Sequence, residues 1–120
     1  MYIFCFEKLE VWIEAKNFSK NIHTITSKSP ETAELGLISQ LRTVSRSVAS
    51  NIAEGCARKI CKDKTYFTTI AFGSAVAMLN QLIKSFELNF VIETDYLHLR
   101  NQLESITNKH SLQNYQIDQI

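Results

Sequence analysis

The 120-residue chain has few residues that break helices, with only three glycines and one proline. Glycine and proline form the tight turns of sheet proteins, so their scarcity disfavours a many-turned β-sandwich or barrel. Apolar residues make up 45% of the chain and charged residues 21%. This composition favours one all-α domain over residues 1–120, long enough to bury a core of its own.

The chain also has few cysteines and a small net charge. The three cysteines, Cys5, Cys56 and Cys61, are an odd number with no secretory signal ahead of them, which disfavours a disulfide framework and indicates the cytoplasm. The net charge of +1 argues against a strong field for nucleic acid or anionic membrane over the whole molecule, although a local basic patch is compatible with it.

We expect no membrane contact from the distribution of apolar residues. The apolar N-terminal stretch, residues 1–6, ends at Glu7 and is too short for a signal sequence or a membrane span. The later apolar run over residues 75–79 is followed by Asn80 and Gln81, and we expect no later segment to reach membrane length without charge. The sequence therefore predicts a soluble protein.

Apolar residues repeat every three or four positions along four segments, which places them on one face of a helix. The predicted helices cover about residues 6–26, 30–54, 62–90 and 94–112. Ser29 and Pro30 suit the start of the second helix, and Gly55 is predicted to end it in the left-handed conformation. Long helices with short connections predict an antiparallel, up-down-up-down, left-handed four-helix bundle.

The apolar stripes give the predicted core positions. They are Val11, Ala15, Phe18, Ile22 and Ile25 in helix 1, Leu37, Leu41, Val44, Val48 and Ile52 in helix 2, and Ile92, Tyr96, Leu99, Leu103, Ile106 and His110 along helix 4. Helix 3 has two stripes, Phe67, Ala71, Ser74, Met78, Leu82 and Phe86 on one side and Phe72, Val76, Leu79, Ile83 and Phe90 on the other. A helix apolar on two sides is either fully enclosed or offers one face to another subunit.

Several short motifs follow one another along nearly the whole chain. They are Phe6-x-x-Leu9-x-Val11-Trp12, Pro30 at the predicted start of the second helix, Gly36-Leu37-x-Ser39-Gln40-Leu41-Arg42, the string SNIAEG at residues 50–55, and Ala71-x-Gly73-Ser74 with Gln81-Leu82. Each is weak alone, but the ordered set resembles the 23S rRNA intervening-sequence proteins, also labelled S23 ribosomal proteins. The resemblance implies an antiparallel bundle that assembles into a ring-like homopentamer, has no established enzymatic activity, and has an assembly or RNA-associated role.

Helix 3 departs from the pattern of that family in its middle. Ala77 and Leu79 stand where relatives commonly have glutamates, so this part of the helix lacks two carboxylates. The loss makes the face apolar, which disfavours an acidic site and favours packing or subunit contact.

Basic residues concentrate between positions 42 and 64, against only Glu54 and Asp63. They are Arg42, Arg46, Arg58, Lys59, Lys62 and Lys64. If the bundle places them on one contiguous surface, they could bind a phosphate backbone weakly and in a salt-sensitive way. The alternative is a solvated face that compensates the negative C-terminal end of helix 2.

Asn51 and Glu54 form a polar cluster near the predicted end of helix 2. A carboxylate there opposes the helix dipole, so we expect Glu54 to pair with Arg42, Arg46 or Arg58. One interpretation is a buried pair or amide network that fixes helix register. The other is a binding site built on Asn51, Glu54 and Arg58.

Metal and catalytic patterns are weak. Asp95 and His98 have the spacing found in carboxylate metal bundles, which need a second such motif and two further glutamates. Cys56 and Cys61 have no matching second pair. We expect no enzyme, metal site, cofactor or small-molecule substrate.

Two functions remain open from the sequence. The first is a non-enzymatic, self-associating bundle that acts as a scaffold or RNA-associated factor. The alternative is an adaptor that binds another protein's helix through the face of helix 1 or helix 3, without a nucleic-acid role.

Overall fold

The computed structural model describes residues 1–28 and 35–119, with side chains at residues 1–28 and 36–109. Within these residues the chain forms a short 3-10 helix, Cys5–Lys8, and the helices α1 Glu10–Ser27, α2 Leu35–Ala57, α3 Cys61–Glu87 and α4 Glu93–Gln119. The predicted all-α class is confirmed. The predicted start of the second helix, at Ser29 and Pro30, lies outside the described residues, as does the side chain of His110.

Three helix ends differ from the prediction. The first long helix begins at Glu10 because the 3-10 turn and an extended Leu9 precede it. α3 ends at Glu87, where Asn89 adopts a positive φ of 63° and the amide of Phe90 donates to the carbonyl of Ser85 at 2.9 Å. α4 continues beyond residue 112 to Gln119.

The prediction that Gly55 ends the second helix was wrong. α2 continues to Ala57, and no described glycine has a positive φ. Gly55 is buried instead, and a Cβ built on it would lie 3.1 Å from Cβ of Phe67 and 3.4 Å from the carbonyl oxygen of Lys64. The glycine therefore permits close approach of α2 and α3.

The four helices pack as a bundle. Each contacts the helix that precedes or follows it in the chain, and α1 also contacts α4, which is the neighbour arrangement of an up-and-down bundle. The up-down topology and the handedness stay predictions. Predicted stripe positions from all four helices form one core together with Ala75, which the stripes did not include, while Ile25, Val44 and Tyr96 are only partly buried against it. The core contains Val11, Ala15, Phe18, Ile22, Leu37, Leu41, Val48, Ile52, Ala71, Ala75, Met78, Leu82, Leu99, Leu103 and Ile106. Ile92 was placed in the core wrongly, since its side chain is 67% exposed.

α3 differs on its two sides. Ala71, Met78 and Leu82 of its first stripe are buried, whereas Phe72 and Val76 of its second are exposed. Residues 65–83 also contain no charged side chain. The expectation that no segment reaches membrane length without charge was therefore wrong, because α3 is long and apolar enough, by length and composition, to cross a membrane.

Candidate nucleic-acid interface

The structure divides the six basic residues of the predicted patch into two groups. Sixteen positions separate Arg42 from Arg58. At 1.5 Å rise per residue, Arg42 lies about 22 Å along α2 from Ala57, the last residue of the helix, and Arg58 follows Ala57. The two groups therefore lie at different places along α2.

At the α2–α3 end, two of the four basic residues, Arg58 and Lys64, make contacts within the protein. Arg58 lies 3.6 Å from a carboxylate oxygen of Glu54, and its guanidinium carbon is 4.8 Å from the ring centre of Phe67. Lys64 donates from Nζ to the carbonyl of Cys56 at 3.1 Å, which satisfies one of the open carbonyls at the end of α2. Lys59 and Lys62 are exposed.

The polar cluster at the end of α2 has two separate sets of partners. Glu54 pairs with Arg58, but both side chains are about half exposed, so the pair is not buried as one interpretation had it. Asn51 donates from Nδ2 to the carbonyl of Ser47 at 2.8 Å, and Ser47 shares a hydrogen bond of 3.0 Å with Ser74 of α3. Asn51 therefore belongs to a hydroxyl and amide link between two helices.

The second group, Arg42 and Arg46, lies between α1 and α2. Arg42 donates from Nε to Oγ1 of Thr26 at 2.9 Å and from Nη2 to Oγ of Ser27 at 3.3 Å. Arg46 donates from Nε to the carbonyl of Arg42 at 3.2 Å. The bonds of Arg42 hold its guanidinium group beside the C-terminal end of α1, and the bond of Arg46 stays within α2.

A small cleft of about 30 Å³ lies at this junction. Its lining residues are Ser19 and His23 from α1, and Arg42, Ser45 and Arg46 from α2. The hydroxyls of Ser19 and Ser45 are 3.3 Å apart, and Ser45 donates to the carbonyl of Arg42 at 2.9 Å. The cleft therefore combines cationic and hydroxyl groups, which are the side chains that bind phosphate oxygens.

Among the residues that the structure describes, the stretches of α1 and α2 around this cleft contain no acidic residue. Residues 15–28 contain three lysines and no Asp or Glu, and residues 35–53 contain two arginines and no Asp or Glu. Lys16 and Lys20 flank Ser19 in sequence and are exposed. We call Lys16, Lys20, His23, Arg42 and Arg46 the α1–α2 basic face. The sequence prediction missed its α1 members because it counted charge within one segment.

A larger groove of about 300 Å³ lies between α1 and α4. Its lining residues are Glu14, Asn17, His98, Asn101, Gln102 and Ser105. Ser105 donates to Glu14 at 3.0 Å, and Lys109 bonds both Glu14 and, at 2.7 Å, Glu10. The hydrogen bonds that Lys109 makes to Glu10 and Glu14 raise the pKa of Lys109. Glu14, the one carboxylate that lines the groove, is therefore already paired with Lys109, and the other lining groups are mainly amides.

Metal-ligating side chains do not assemble in the part of the chain that the structure describes. No three His, Cys, Asp or Glu side chains lie close enough together there to hold a metal ion. Asp95 and His98 thus have no third partner of these types among the described residues.

The comparison with known proteins agrees with the motifs of the sequence. The family model of the 23S rRNA-intervening sequence protein matches residues 7–111, a range that includes both groups of basic residues. No curated protein matches the chain.

Proposed function

The chain belongs to the 23S rRNA-intervening sequence protein family, and we propose that it is a non-enzymatic, self-associating bundle that contacts RNA through the α1–α2 basic face. The observation that carries the proposal is the cleft where His23 of α1 meets Arg42 and Arg46 of α2. The stretches of α1 and α2 that form it also carry the exposed Lys16 and Lys20 and contain no carboxylate. Because residues 15–28 and 35–53 offer no carboxylate to neutralise these cations, they can meet phosphates.

The charge of this face sets the expected salt dependence. If its two lysines and two arginines each meet one phosphate, log K should fall with log salt with a slope of about −3.6 for a duplex. Affinity would then drop by roughly 150-fold between 50 and 200 mM salt. Binding by one protomer is weak, and repetition of the face in an oligomer would strengthen it by avidity.

Self-association is supported by the outward face of α3. Phe72 is 39% exposed and Val76 50% exposed, and the neighbouring Gly73 and Ala77 leave room for close approach of another helix. An uncharged stretch of this length on an exposed helix face fits contact with a second copy of the chain better than contact with water.

RNA binding is tested by two matched double variants. Lys20→Gln with Arg46→Gln removes two charges from the α1–α2 basic face, and Lys59→Gln with Lys62→Gln removes two exposed charges at the other end of α2. With a 20-base-pair RNA duplex as the probe, we expect the first pair to lose at least about tenfold in affinity and to reduce the salt slope by about 1.8. We expect the second pair to change affinity less than threefold. Equal losses in both pairs, or no binding by the native protein at 50 mM salt, would refute the proposal.

Self-association is tested by light scattering at tens of micromolar protein. Val76→Glu places a charge on the outward face of α3, and we expect it to give monomers. Ile13→Glu is the matched control, since Ile13 is an exposed apolar residue of α1 with 38% exposure. A monomeric native protein, or dissociation by both variants alike, would contradict the proposed interface. The adaptor alternative would require a protein partner that binds the same α3 face and resists ribonuclease.

A further inference from the structure

Two cysteines that are far apart in the sequence meet in the structure. Cys5 lies in the 3-10 helix and Cys56 in the last turn of α2, and their Sγ atoms are 2.7 Å apart. Cys5 Sγ also lies 3.4 Å from the carbonyl oxygen of Cys56. Both residues are thiols here, and Cys61, the third cysteine, is exposed at the start of α3.

We propose that Cys5 and Cys56 form a reversible disulfide by thiol exchange with a low-molecular-weight disulfide such as oxidised glutathione, and that this bond fastens the N-terminal segment to the end of α2. The geometry carries the proposal, because the two thiols are already placed together while their positions are 51 residues apart in the chain. A disulfide needs only a short further approach of the two sulfurs.

The exposure of the two thiols sets the order of the exchange. Cys5 is exposed, so its thiolate attacks one sulfur of oxidised glutathione, forms a mixed disulfide and releases one glutathione. Cys56 then attacks Cys5 Sγ, which forms the Cys5–Cys56 bond and releases the second glutathione. The two protein thiols lose two electrons, oxidised glutathione gains them, and the two thiol protons end on the two released glutathiones.

Burial, followed by its contact with Cys5, raises the pKa of Cys56 to about 11. Cys56 is therefore a poor first nucleophile and reacts only once Cys5 presents a mixed disulfide beside it. The nearby Lys64 opposes this shift weakly, since its ammonium group favours the Cys56 thiolate.

The bond would secure a segment that is otherwise attached through aromatic contacts. Phe6 packs edge to face on Trp12 with ring centres 4.9 Å apart, and Phe4 stacks on Phe6 at 6.2 Å. Tyr2 and Phe4 remain largely exposed. A covalent link at Cys5 holds these aromatic residues against the end of α2 and closes a loop that contains α1 and α2, which restricts the unfolded chain.

The test uses the full chain at low micromolar concentration in glutathione buffers of increasing oxidising potential. We expect a loss of two hydrogens, a Cys5–Cys56 cross-linked peptide under non-reducing digestion, and a rise in Tm of at least about 5 °C that reductant reverses. Cys61→Ser should keep all three results, and Cys56→Ser should lose them. If Cys56→Ser fails to fold, Cys5→Ser serves instead, because Cys5 is exposed. Only mixed disulfides, only links between chains, or an unchanged Tm would overturn the proposal.

Discussion

Replacing Gly55 by alanine tests whether close packing of α2 on α3, and not a turn, requires this glycine. Alanine in a helix is more stable than glycine by up to about 1 kcal/mol. At Gly55 the new methyl group would meet Cβ of Phe67 at 3.1 Å and the carbonyl of Lys64 at 3.4 Å. Overpacking of this kind costs about 1–3 kcal/mol. We therefore expect Gly55→Ala to change stability by about 0 to −2 kcal/mol.

Gly73→Ala is the matched control. Gly73 lies inside α3, and no described atom lies within 4 Å of a Cβ built on it, so the substitution should gain about 1 kcal/mol. For 120 residues the unfolding entropy is about 0.25 kcal/mol/K, so 1 kcal/mol shifts Tm by about 4 °C. We expect Gly73→Ala to melt about 4 °C higher than its parent and Gly55→Ala to melt up to about 8 °C lower.

The assay is thermal and urea unfolding followed by circular dichroism, with both variants made in the Val76→Glu background. That background keeps self-association from contributing to stability, which matters because Gly73 neighbours Phe72 on the outward face of α3. A stability gain at Gly55 equal to that at Gly73 would refute the close-approach argument.

Three further outcomes are expected from urea unfolding. Phe18→Ala leaves a cavity where the native side chain is 0% exposed, and it should lower the free energy of unfolding by about 3–5 kcal/mol. A loss below about 1 kcal/mol would contradict the assigned core. Under reducing conditions stability should fall as pH rises from 9 towards 11, because the unfolded Cys56 thiol releases its proton near pH 9.0 while the folded one keeps it to about 11. If Cys56→Ser loses stability over the same pH range as the native protein, the loss does not come from the Cys56 thiol. Lys64→Met should lower stability by about 0.5–1.5 kcal/mol, because the hydrogen bond to the Cys56 carbonyl is lost. Lys62→Met, at an exposed position, should lower it by less than about 0.5 kcal/mol. Equal losses would contradict a stabilising role for the bond between Lys64 and the end of α2.

The core was predictable because burial follows the helical period. Phe18, Met78 and Leu82 stand at stripe positions, and all three are fully buried. The helix ends were less predictable, because glycine serves both to end helices and to let them approach. Gly55 lets α2 and α3 approach each other. The residue with a positive φ after α3 is Asn89, and asparagine predicts a left-handed helix end less strongly than glycine does.

The candidate interface was only half visible in the sequence. Arg42 and Arg46 were identified, but they were grouped with Arg58 because all three are close in sequence. Residues that are several turns apart on one helix are far apart along its axis. His23 meets Arg42 at the cleft because α1 and α2 pack side by side, and the exposed Lys20 lies on the same stretch of α1. The signal that could have found them is the absence of Asp and Glu from residues 15–28 and 35–53 taken together.

The two proposals concern opposite ends of α2, and this separation makes them independent. Arg42 and Cys56 are about 21 Å apart along the helix, and Cys56 lies beside Lys64, outside the α1–α2 basic face. Oxidation of the Cys5–Cys56 pair leaves the charges of that face in place, so RNA affinity per protomer should be the same in the oxidised and reduced forms. A difference in affinity would instead assign RNA contact to the α2–α3 end, where Lys59 and Lys62 are exposed and where the cross-link would restrict the N-terminal segment.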